Sequence, residues 1–146
     1  MNRKLDSPAE QLGLLAIGSS GRWEVAVDES PDAEDWSMEI EGPGIYLVFQ
    51  LQDPTIIPMA LRFLQTGLAE NWGKSLERNE RELHLGRFGS ASVSFHWDNE
   101  DVPRCFLIVG PKARSTLRLG LGAEDIRMLC KALDEIVKEL PHMGIV

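Results

Sequence analysis

At 146 residues, 43% of them hydrophobic, the chain can bury roughly 70% of its unfolded surface, so it needs no disulfide or metal staple. Its formal charge of −8 opposes the phosphate attraction behind nonspecific nucleic-acid affinity, and no stretch approaches the length of a membrane-spanning helix. Two cysteines in a chain of this size fit reduced, buried thiols of a cytoplasmic protein, with a reactive or bridged pair as the minority reading, and no disulfide framework is needed.

At the amino terminus Arg3 and Lys4 are followed by Asp6 and Glu10, which interrupt any signal-peptide pattern, and Leu12 to Ile17 is too short for its apolar region. Gln11 to Ile17 is read as a strand, with Gly18 to Gly21 as its hairpin; Ser7-Pro8-Ala9-Glu10 would instead suit a helix cap. Trp23, Val25 and Val27 alternate with Glu24, Ala26 and Asp28, and Trp36, Met38 and Ile40 alternate with Ser37, Glu39 and Glu41, the period of half-buried strands. After the Gly42-Pro43-Gly44 turn, the apolar run Ile45 to Leu51 predicts a central strand. Asp53 and Pro54 then start a helix through Ile56, Ile57, Leu61, Phe63 and Leu64, closed by Gly67.

The second half repeats this order. Strands are predicted over Glu82 to Phe88, through Val93, Phe95 and Trp97, over Arg104 to Val109 and over Ser115 to Leu121. Glu124 and Asp125 suit the positive end of a helix dipole, Ile126, Leu129, Leu133, Ile136, Val137 and Leu140 recur at helical spacing, and Pro141 stops the helix. The expected fold is α+β in a single domain over 1–146: antiparallel sheet from two four-strand units, each followed by a helix packed on the sheet. Shared punctuation, with Glu34-Asp35 before Gly42-Pro43 and Glu100-Asp101 before Gly110-Pro111, suits either an internal duplication over 10–67 and 81–141 or ordinary reuse of turn residues.

Charge divides the halves. Through Gly73 four basic residues face twelve acids, while from Lys74 on eleven face eleven, so the whole net charge lies in the first half. Asp28, Glu29, Asp32, Glu34 and Asp35 concentrate in one inter-strand loop, which either steers a basic partner or is a solvated, solubilising loop. Arg104, Lys112, Arg114 and Arg118 gather around the last two strands, as an anion site or as edge protection against aggregation.

Catalytic templates fail on particular residues. Gly120-Leu121-Gly122 is followed by acids at the helix terminus, where a pyrophosphate would be repelled. Gly18-Ser19-Ser20-Gly21 lacks the spacing of a nucleophile elbow, and Asp28-Glu29-Ser30-Pro31-Asp32 lacks the calcium-loop ligand order. His84, His96 and His142 are not spaced as metal ligands with Cys105 and Cys130. Trp23, Trp36 and Trp97 fit core anchors, and Trp72, in a polar linker, either packs over the junction of the halves or is a contact residue.

No catalytic residue, metal or cofactor is therefore expected. Two function classes remain. One is a non-catalytic interaction protein whose acidic first half recognises a protein partner or a second copy of the chain. The other follows from element order: four strands and a helix, repeated, is similar to the PUR repeats and the Whirly class. That resemblance, of element order only, implies single-stranded nucleic-acid binding on sheet faces and assigns no site; the chain's own candidates are Arg104, Lys112, Arg114 and Arg118, against a charge balance that disfavours the reading.

Overall fold

The computed structural model describes residues 14–29, 35–70, 81–98, 105–111 and 114–143. The alternating segments become strands β1 (Leu14–Ser20), β2 (Trp23–Glu29), β3 (Trp36–Gly42) and β4 (Ile45–Leu51), followed by helix α1 (Ile56–Ala69). Strands β5 (Arg81–Phe88), β6 (Ala91–Trp97), β7 (Cys105–Val109) and β8 (Leu117–Leu121) follow, then helix α2 (Ala123–Glu139). All eight strands form one antiparallel sheet in sequential order, an α+β architecture.

Each strand sends one face inward. Trp23, Val25 and Val27 of β2, Met38 and Ile40 of β3, Phe49 and Leu51 of β4, Val93 and Phe95 of β6, and Leu107 of β7 join one apolar cluster with Ile57 and Leu64 of α1 and Leu129, Leu133 and Ile136 of α2. Each such side chain contributes about 1.5–3 kcal/mol by leaving water, which is why the alternation fixes which face the helices cover.

The helices cross between halves. Helix α2 lies on β1 and β2 and against α1, whereas α1 meets β5, so neither helix chiefly covers the strands it follows. The Ser19 amide on edge strand β1 donates to Glu135 Oε2 on α2 at 3.2 Å. At the start of α2, Asp125 accepts from the Gly122 amide at 3.4 Å and from Trp23 Nε1 at 3.1 Å, tying the helix terminus to β2.

Several expectations are corrected. The first strand runs to Ser20, and its hairpin is the Gly21-Arg22 pair, so Gly18 belongs to the ladder. Strand β4 is central in the sheet, as its apolar run predicts, although only one of its faces is covered: Leu47, Phe49 and Leu51 are buried, while Tyr46, Val48 and Gln50 are exposed on the side away from the helices. Gly67 does not end α1. It sits inside the helix under the Trp97 indole, where a Cβ would stand 2.3 Å from the ring. Asp53 acts one step before the helix, accepting from the Thr55 amide and hydroxyl, each at 2.8 Å; those bonds, the amide first, hold its carboxyl below the ordinary range. Trp72 lies outside the described residues.

Candidate functional site

The face of the sheet away from the helices collects the polar residues that alternate with the core in β2, β3 and β6, and its first-half portion is acidic. Antiparallel register sets Glu24 of β2 directly opposite Glu41 of β3, Ala26 opposite Glu39, and Asp28 opposite Ser37. Register between β3 and β4 then puts Glu39 opposite Val48 and Glu41 opposite Tyr46. Like charges directly across a ladder repel, so the Glu24–Glu41 pairing by itself costs stability. The Tyr46 hydroxyl donates to Glu39 Oε1 at 2.6 Å, and Glu39 is buried. The Tyr46 ring remains 57% exposed and Val48 41% exposed, an apolar pair bordered by carboxylates.

Of the loop acids chosen from sequence, Asp28, Glu29 and Asp35 are described and fall at the margin of this face. Asp28 and Glu29 end β2 half-buried, and Asp35 is exposed and accepts from Gln50 Nε2 at 3.2 Å. Asp32 and Glu34 lie outside the described residues. Glu24, Glu39 and Glu41 were the acids that loop-centred reasoning passed over, although their alternation with Val25, Met38 and Ile40 already assigned them to one face.

The second-half portion differs. Ser94, His96 and Asp98 are buried, as are Phe106 at 5% exposure and Ile108 at 1%. His96 lies opposite Glu82, and His84 lies opposite Ser94. The His96 imidazole has Nδ1 3.6 Å from Glu82 Oε2, and Ser94 Oγ approaches the same oxygen at 3.5 Å. Of the four cations expected to cluster here, Arg104 and Lys112 lie outside the described residues and Arg114 is exposed. Arg118 spreads its guanidinium 3.8 Å from the Phe106 ring centroid, a cation–π contact that covers the aromatic surface.

On the inner side, Cys105 and Cys130 are free and buried. Burial pushes the Cys130 thiol up to about 11, and burial, then the nearby Cys130 charge, pushes Cys105 up further, so both stay protonated at neutral pH. Among the described residues no group of three or more His, Cys, Asp or Glu could hold a metal ion, and no helix is long and apolar enough to cross a membrane. Comparison with protein-family models, curated proteins and solved structures found no match to this chain.

Proposed function

We propose that this is a non-catalytic interaction protein whose acidic first half docks a basic protein surface, or a second copy of the chain, on the outer face of β2 to β4. The observation that carries the reading is the exposed Tyr46 and Val48 pair set among Glu24, Glu39, Glu41 and Asp28. An apolar centre with a charged rim is the usual anatomy of a protein interface, and the acids add long-range attraction for a cationic partner. Asp35, which accepts from Gln50 of β4, adds a further acid to that rim.

The single-stranded nucleic-acid reading gains less support, since Phe106, the aromatic on the second-half outer face among the described residues, is buried under Arg118 and offers no open stacking surface. We also read the two halves as a duplicated unit. The first hairpin of each half is a two-residue turn with glycine leading at positive φ, Gly21 at 60° and Gly89 at 63°, as a repeated turn requires.

The test compares the wild-type chain with a Glu24→Gln, Glu41→Gln, Tyr46→Ala variant, by affinity capture from the source cell and by sedimentation. The reading expects a basic protein, or self-association, that the wild type shows and the variant loses. Identical captured proteins and identical oligomeric state for both chains would remove it.

A further inference from the structure

The two halves of the sheet meet at a seam that is only two residue pairs long, Gln50–Arg87 and Leu51–Gly86, extended by the Gln52 amide donating to the Leu85 carbonyl at 3.0 Å. Within β5 the register against β6 jumps between His84 and Gly86, which makes Leu85 the extra residue of a β-bulge, fully buried in the core. Residues three apart on a regular strand face opposite sides. Here His84 pairs with Ser94 and Arg87 with Ser92, two β6 residues on the same outer face, so the bulge turns both side chains the same way.

Glycine is required at the seam itself. A Cβ at Gly86 would stand 1.9 Å from the Gln50 carbonyl oxygen, so any other residue would force β4 and β5 apart. The strands diverge beyond this approach and leave a cleft of about 290 Å³ lined by Gln50, Leu51, Gln52, His84, Gly86 and Arg87. The side chains of His84 and Arg87 make no hydrogen bond or ion pair among the described residues. Asp35 takes the Gln50 amide nitrogen at 3.2 Å and so orients that side chain along the rim. An arginine fork and an imidazole lining one cleft suit an oxyanion, and the side-chain amide of Gln52, whose backbone amide is taken by Leu85, is a further donor among the lining residues.

We propose that the cleft at the β4–β5 seam is a binding site for a small oxyanion, a phosphoryl or carboxylate group held by Arg87 and His84. The cleft borders the acidic face at Gln50 and Asp35, but the proposal does not rest on the function proposed for that face.

The experiment titrates the ¹⁵N-labelled full chain with inorganic phosphate and, separately, with acetate, each against sodium chloride at matched ionic strength. Expected are saturable shifts at Gln52, His84 and Arg87 with at least one of the two anions. Arg87→Gln weakens that binding by about tenfold or more, the loss of one charge-assisted bond, and His84→Gln by less. Saturation with phosphate alone assigns phosphoryl ligands, and saturation with acetate alone assigns carboxylates. The proposal is overturned if neither anion saturates, if Arg87→Gln titrates like the wild type, or if Arg114→Gln at an exposed site outside the cleft weakens binding as much. Because Arg87 and His84 are both exposed, either variant can be read if the other fails to fold.

Discussion

The outer faces of β2–β4 and of β6–β8 belong to one sheet, turn away from the same two helices, and are finished in opposite ways. On the first, Tyr46 and Val48 stand exposed among carboxylates, and Glu24 and Glu41 oppose each other across the ladder. On the second, Phe106 and Ile108 are buried, Arg118 lies over the Phe106 ring, and the polar Ser94 and His96 converge on Glu82. The contrast teaches that a sheet face can be spent on stability or left for contact. Burial of large apolar groups marks the first use; exposed apolar groups among unfavourable like charges mark the second.

The largest effect should separate the two faces directly. Phe106→Ala is expected to lower unfolding free energy by about 3–5 kcal/mol, the usual cost of removing a buried aromatic ring, while Tyr46→Ala costs much less. Urea denaturation of both variants measures this, and equal losses would erase the distinction between the faces.

A smaller effect is expected from Tyr46→Phe, which removes the hydroxyl donated to Glu39 and keeps the ring. A hydrogen bond to a charged acceptor is worth about 1.5–3 kcal/mol, and partial exposure of this one places the expected loss at the lower end. No change in denaturation midpoint would show that Tyr46 is held on the face by its ring alone.

The smallest effect has the opposite sign. Glu41→Gln removes one of two like charges placed opposite each other and should stabilise the fold by about 0.2–1 kcal/mol while weakening partner capture. A gain in stability with lost binding is the signature of a surface kept for contact. If the variant is instead less stable, the acid supports the fold and the functional reading of this face loses its main argument.

The thiols provide a pH-dependent check on the inner face that both halves share. The unfolded thiols ionise near pH 9, whereas in the fold Cys130 stays protonated to about 11 and Cys105 beyond it. Between those values the unfolded chain binds fewer protons than the folded one, so stability should be full below pH 9 and fall as pH rises toward 11. A Cys130→Ala variant should show a shallower decline in thermal midpoint over that range.

Much of this was legible locally. Period-two alternation in Trp23 to Asp28, in Trp36 to Glu41 and around Val93 to Trp97 marks strands and assigns each side chain a face, because the pleat alternates whatever the partner strand is. The 3.6-residue spacing from Ile126 to Leu140 does the same for α2. Gly67 shows the limit: glycine near the end of a helical pattern reads as a stop, and only the distant Trp97 ring gives it another purpose.

The strand and helix order, the buried side of most strands and the acidic first half were set by the sequence alone, because all of them depend on residues close in the chain. Tertiary structure alone decided that Glu24 faces Glu41, that α2 crosses to β1 and β2, that Arg118 covers Phe106, and that one extra residue in β5 turns His84 and Arg87 into the same cleft. Register and helix placement are set by packing between segments far apart in sequence, where a one-residue slip exchanges the two faces of a strand.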